Sequence, residues 1–238
     1  MGVHRMSKAP LVALDNPRRK RIVVAITGAS GAPYAVRLLQ ALRSSNDVEI
    51  HLTLSQSGVA VIGQELDLKL DVRRPNLDAL LTCVAPWSTA EPYQLDSPLG
   101  EKGDDRFFFH QFDDYMTPIA SGSFVTDAMV ICPCSGSTLS GVSRASASNL
   151  IERAAEVHLK EHRKLVLVPR ETPMSVLQIE NMHRLASAGA VLLPAMPGWY
   201  HNVTRLEDLV DFVVARILDQ IGVENRMIQR WKAAESNA

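Results

Sequence analysis

Nearly unbroken apolar runs alternate along this chain with stretches of helical periodicity. "RIVVAIT" (21–27), "VEIHLTLS" (48–55), "AMVICP" (128–133), "KLVLVP" (164–169) and "AVLLPA" (190–195) have strand length and β-branched content. "APYAVRLLQALRSS" (32–45), "ASNLIERAAEVHLKEH" (147–162), "SVLQIENMHRLASAG" (175–189) and "TRLEDLVDFVVARILDQIG" (204–222) repeat apolar residues every three or four positions, which predicts helices. Thr204 is the expected N-cap of the last helix and Gly189 the expected stop of the third. Strands without polar alternation are buried on both faces. The pattern therefore predicts an α/β domain: a parallel sheet in three layers, with helices on both sides. Residues 21–222 are expected to form this single domain, 1–20 to be a mobile extension and 223–238 a tail. The segment 66–112 is less readable, because its Pro, Gly and Asp clusters mark loops; "RFFFHQF" (106–112) fits a further strand.

Composition narrows the function. The 238 residues are 46% hydrophobic and 21% charged, enough for one substantial core. A formal net charge of −1 supplies no field for nucleic acid, and the basic run "PRRKR" (17–21) reads as a solvated flank of the first strand. No apolar run reaches membrane-spanning length, and the N-terminus lacks the apolar core of a signal peptide. Three cysteines, Cys83, Cys132 and Cys134, read as reduced thiols of a cytoplasmic protein.

Ligands of open α/β sheets sit beyond the carboxyl ends of the strands. The residues there are Gly28-Ala29-Ser30-Gly31, Ser55-Gln56-Ser57, Cys134-Ser135-Gly136-Ser137-Thr138, Arg170-Glu171-Thr172 and Met196-Pro197-Gly198-Trp199-Tyr200. Hydroxyls and small residues dominate. A dinucleotide is disfavoured: the G-x-G-x-x-G fingerprint is incomplete, and Ser55 stands where a ribose-binding acid belongs. No Tyr is followed four residues later by Lys, as short-chain dehydrogenases require, and no P-loop exists. "GASGA" misses the nucleophile elbow by its last residue. A mononucleotide remains, its phosphate and ribityl chain held by helix N-termini and hydroxyls, and flavin mononucleotide fits that description.

"TGASGA", "ICPCSGSTLSG", "NLIERAAEVHLKEHRKLVLVPRETP", "ENMHRLASAGAVLLPAMPGWYH" and "LVDFVVARILDQIG" resemble the UbiX-type flavin prenyltransferases over roughly residues 21–231. The resemblance implies a Rossmann-like or flavodoxin-like fold and a dodecamer with active sites at subunit boundaries. It implies transfer of a dimethylallyl group from dimethylallyl phosphate to reduced FMN, without a metal. The prenylated FMN would serve a separate UbiD-type decarboxylase, as in ubiquinone biosynthesis. It assigns Gly28, Ala29, Ser30, Ser55, Ser135, Gly136, Ser137, Thr138 and Arg170 to the flavin, and Tyr200 and Arg216 to the dimethylallyl phosphate. Glu171 and Lys160, with Arg153 near them, match acid/base and phosphate positions. Ser148 departs from the Asp that many members carry, and the 66–112 loop is longer than usual.

The residue chemistry agrees with that assignment. Departure of phosphate from an allylic carbon needs cations where negative charge develops. Arg153 and Lys160 lie seven apart on one predicted helix and share a face; without the resemblance they read as a solvated surface. Arg216 sits in the apolar run "DFVVARIL". Glu171 can exchange a proton with phosphate, or simply pair with Arg170. Met196, Trp199 and Trp231 are expected to wall a dry prenyl pocket. His158 and His162 have the i, i+4 spacing of a zinc pair but no third ligand. Two alternatives stay open: an FMN-dependent decarboxylase of the cysteine-decarboxylase type, and a non-catalytic flavin carrier.

Overall fold

The computed structural model describes residues 18–95, 99 and 105–229. The expected extension therefore lies outside the described residues up to position 17, as does Trp231. Six strands, β1 (Lys20–Ile26), β2 (Val48–Leu54), β3 (Phe107–Gln111), β4 (Ala128–Cys134), β5 (Lys164–Pro169) and β6 (Val191–Leu192), form one parallel sheet in the order β3-β2-β1-β4-β5-β6. "RFFFHQF" is indeed a strand, at the sheet edge.

The period-two alternation of a strand divides the core. Ile22, Val24 and Ile26 of β1 face one apolar layer; Val23 and Ala25 face the other. Helices α1 (Ala32–Arg43), α2 (Gln56–Leu66), α3 (Leu77–Thr82) and α7 (Leu206–Gln220) supply buried residues to the first layer. Helices α4 (Gly136–Ser143), α5 (Leu150–Lys160) and α6 (Val176–Ser187) supply the second. Leu38 and Leu39 of α1 are wholly buried, and truncating either to Ala should cost about 2–5 kcal/mol. Packing runs past Gly222: Val223 is buried, and Met227 lies against the first layer.

Three helices escape the sequence pattern. Helix α3 falls in the segment with mixed signals. Helices α2 and α4 are rich in Gly and Ser, which weaken intrinsic helicity. Side-chain caps and close packing compensate. Ser55 caps α2 by accepting from the Gly58 N–H at 3.0 Å, and Ser135 caps α4 by accepting from the Thr138 N–H at 3.3 Å. A Cβ on Gly58 would stand 2.5 Å from the Ile26 carbonyl oxygen, so α2 approaches β1 as only glycine allows.

Two boundaries also move. Thr204 is not the cap of α7. The Asp208 carboxylate reaches back to the N–H groups of Thr204 (2.8 Å) and Arg205 (2.9 Å) and to the Thr204 hydroxyl (3.2 Å). An anion suits that helix end better than a neutral hydroxyl. Strand β6 is confined to Val191–Leu192, shorter than 190–195, although Leu193 and Ala195 still donate to the carbonyls of Leu167 and Pro169; Pro194 sits between them, where an edge strand has no partner for an N–H.

Candidate active site

The strand order places β2 and β3 on one side of β1 and β4, β5 and β6 on the other. The connections diverge at β1 and β4, which leaves a crevice between the carboxyl ends of those two strands. Thr27, at the end of β1, ties the crevice walls together. Its N–H and hydroxyl both donate to the Pro133 carbonyl, at 3.2 and 2.8 Å, and its hydroxyl accepts from the Ser135 N–H at 2.8 Å. Sequence reading passed over this residue, although a hydroxyl just before the glycine loop was available as a signal.

The loop after β1 carries Gly28, Ala29 and Ser30. A Cβ on Gly28 would lie 2.4 Å from the Ser57 Cβ, so the loop after β1 meets the first turn of α2 at that glycine. Gly31 has φ of 130°, a left-handed value that favours glycine. The first N–H groups of α1 are already satisfied. Glu65, from the last turn of α2, accepts from Gly31 at 2.9 Å and from Ala32 at 2.8 Å. In dinucleotide-binding folds this helix end receives a pyrophosphate. Here a carboxylate occupies it and would repel one. The incomplete glycine fingerprint thus has a structural counterpart. Sequence reading missed Glu65 because α2 was not predicted.

Hydroxyls gather instead at the starts of α2 and α4. Ser55 opens the first of these helices. In the second, Ser135 Oγ lies 3.1 Å from Ser137 Oγ and donates to Thr138 Oγ1 at 3.0 Å, beside Gly136. Tyr34 projects from α1 over Gly31, where an added Cβ would touch its ring at 3.1 Å. Burial first, then the Cys132 thiol, raises the Tyr34 pKa against the opposing pull of Arg170, so the phenol stays a neutral donor.

Arg170 and Glu171 follow β5 and face different partners. Arg170 Nε donates to the Ser30 carbonyl at 3.2 Å and joins the loops after β1 and β5. Glu171 Oε2 accepts from Gln178 Nε2 at 3.0 Å. The alternative that Glu171 exists to pair with Arg170 finds no support in these contacts. Gly28, Ala29, Ser30, Ser55, Ser135, Gly136, Ser137, Thr138, Arg170 and Glu171 therefore border one end of the sheet, with hydroxyl and amide donors suited to a monophosphate and a polyhydroxyl chain.

Lys160 and Arg153 do not join this group within one chain. Lys160 ends α5, beside the amino end of β5, and its Nζ donates to Glu161 at 2.8 Å. Arg153 bonds the Ala120 carbonyl at 3.2 Å and Glu156 at 3.2 Å. Gly122 lies against Lys160, since a Cβ there would be 3.1 Å from Nζ. Tyr200 and Arg216 belong to the region of α7. The Tyr200 ring packs edge-on against Phe212, one turn before Arg216, whose guanidinium pairs with Asp219 at 3.0 Å. Met196 and Trp199, expected in a pocket wall, are 64% and 72% exposed among the described residues. The His158 ring is spent on the fold, within bonding distance of the Thr126 hydroxyl (2.9 Å) and the Ala154 carbonyl (2.7 Å). Among the described residues no group of three His, Cys, Asp or Glu side chains is placed to hold a metal ion, and no helix is long and apolar enough to cross a membrane.

This site has relatives. The sequence profile of the family described as Flavoprotein matches residues 12–218. The flavin prenyltransferase UbiX of Pseudomonas aeruginosa is 46% identical over 214 residues, covering 89% of this chain and 94% of that protein. The crystal structure of AnUbiX (PadA1) in complex with FMN and dimethylallyl pyrophosphate superposes with a TM-score of 0.75 at 36% identity, covering 91% of this chain and 99% of that one. A dodecameric FMN-dependent UbiX-like decarboxylase from Escherichia coli O157:H7 gives a TM-score of 0.74 at 39% identity, covering 90% and 100%. The cysteine decarboxylase TvaF, at 12% identity and a TM-score of 0.52, shares the fold alone.

Proposed function

From the premise that this chain belongs to the Flavoprotein family, among the UbiX flavin prenyltransferases, we propose that it joins a dimethylallyl group to reduced FMN. The observation that carries the reading is the hydroxyl-lined crevice between β1 and β4 with Arg170 and Glu171 at its rim. The donor set fits FMN: neutral hydroxyls and helix starts for phosphate and ribityl oxygens, and no ribose-seeking acid after β2. Bound reduced FMN supplies the nucleophilic ring that receives the prenyl carbon.

The chain's own groups do the rest. Ser30, Ser55, Ser135, Ser137 and Thr138, with the backbone of Gly28, Ala29 and Gly136, hold and orient the flavin. Arg170 braces the first loop through Ser30. Glu171 would accept the proton that the ring gives up after phosphate has departed, and return it to that phosphate. Arg153, Lys160 and Arg216 neutralise that phosphate as its charge grows, and the Tyr200 phenol donates a hydrogen bond to it.

Strand β5 separates Lys160 from Glu171 by roughly 20 Å at the usual rise per residue. The reading therefore takes Lys160 from a neighbouring copy of the chain. Exposed Val176, Leu177, Ile179, Met196 and Trp199 support such an assembly, of the dodecameric kind. The three free cysteines support a cytoplasmic location. Prenylated FMN is then delivered to a UbiD-type decarboxylase.

The test is the mass and absorption spectrum of the flavin after the reduced holoprotein meets dimethylallyl phosphate. Gain of one dimethylallyl group per flavin is expected. An unaltered flavin would leave a carrier; carbon dioxide released from a C-terminal cysteinyl peptide would make the protein a decarboxylase.

A further inference from the structure

Glu171 is held by a side chain whose orientation is dictated elsewhere. Gln178 occupies the third position of α6 and forms the reciprocal cap of that helix. Its Oε1 accepts from the Ser175 N–H at 2.8 Å, while its own N–H donates to Ser175 Oγ at 3.2 Å. An amide that must turn its oxygen to a backbone donor has only its nitrogen left for the other side. That nitrogen, Nε2, points at Glu171 Oε2 at 3.0 Å. The assignment of the two amide ends therefore follows from chemistry: neither Ser175 N–H nor the Glu171 carboxylate could accept the opposite arrangement. The other Glu171 oxygen has no protein partner among the described residues. Gly136, at the start of α4, completes the arrangement. A Cβ there would stand 3.1 Å from Nε2 and 3.9 Å from Glu171 Oε2, so a larger residue would press on the donor itself.

We propose that Gln178 is a positioning residue for the prenyl transfer: its amide pins one oxygen of Glu171 and leaves the other as the single proton-exchanging atom. The capping box explains why the position holds a long polar side chain. It does not explain why that side chain is neutral, because Glu would cap the helix as well. Glutamate at 178 would set a second carboxylate against Glu171, and the two would share a proton. The proposal rests on the acid–base reading of Glu171, and the experiment separates the two.

Three variants, Gln178→Glu, Ser175→Ala and Glu171→Gln, are loaded with FMN, reduced and mixed with dimethylallyl phosphate in single turnovers across pH. Glu171→Gln should slow the chemical step by about 10²–10⁴-fold. Gln178→Glu, with its cap intact, should be about tenfold slower at neutral pH. It should regain rate as pH rises, because the base form of the pair returns, and its FMN affinity and half-saturation for dimethylallyl phosphate should not change. Ser175→Ala should lower the melting temperature without moving the pH profile. If Gln178→Glu keeps the wild-type rate and profile while Glu171→Gln is slow, Gln178 is only a helix cap and the proposal is overturned alone. If Glu171→Gln also reacts normally, the acid–base reading falls and the proposal with it.

Discussion

Lys160 and Glu171 stand at opposite ends of β5: Lys160 closes the helix that enters the strand, and Glu171 follows its last residue by two positions. One chain cannot bring both to one phosphate. Lys160→Ala and Glu171→Gln should each be slow alone yet recover a fast phase when co-assembled. With random mixing, roughly a quarter of the sites would draw Lys160 from one variant and Glu171 from the other. Single-turnover amplitude of the mixed oligomer measures that fraction. No recovered amplitude in a verified mixed oligomer would place both residues in one chain's site.

Ser55 offers a separation of folding from binding. It caps α2, and Asp is as good a cap as Ser. Ser55→Asp should therefore melt near the wild type while its new charge repels the flavin phosphate. FMN affinity should fall at least tenfold by fluorescence titration. Unchanged affinity would remove Ser55 from the flavin set.

Glu65 is predicted to be a stability residue of the site loop. Its carboxylate satisfies the Gly31 and Ala32 N–H groups and sits at the positive end of α1. Glu65→Ala should cost about 1–2 kcal/mol, the range of a lost N-cap. Urea unfolding of the apoprotein is the measurement, and a loss below about 0.3 kcal/mol would mean that water replaces the carboxylate.

Acid should weaken the fold through two imidazoles, the buried His158 and the half-buried His110. Burial lowers the pKa of His158 from 6.5 to about 4, and burial with the neighbouring His51 does the same to His110. The unfolded chain takes up these protons near pH 6.5, whereas the folded chain resists until about 4. Stability is therefore full above 6.5 and falls as pH drops through that window. Melting temperatures between pH 7 and 4 should decline more steeply for the wild type than for His158→Gln. Parallel curves would show that His158 does not couple to protons.

The β-branched runs of β1, β2, β4 and β5 determined the class of fold by themselves, because strands buried on both faces cannot alternate with polar residues. Order in the strand-end loops was equally readable: glycine and hydroxyl residues cluster there whatever the sequence neighbours do. The motifs around "TGASGA" and "PRETP" carried the family resemblance and with it the flavin. Tertiary structure decided the rest. Helices α2 and α4 exist through Ser55 and Ser135 caps and through Gly58 against β1, contacts that no local propensity contains. Glu65 and Gln178 entered the site from helices distant from the loops they serve, and Thr27 did so by bridging two strands. Met196 and Trp199, apolar at strand ends and expected inside a pocket, lie exposed among the described residues. The sharpest limit concerns Lys160 and Glu171. They are only eleven positions apart in sequence, but the strand between them crosses the whole sheet, and proximity along a chain says nothing about which end of a strand a side chain occupies.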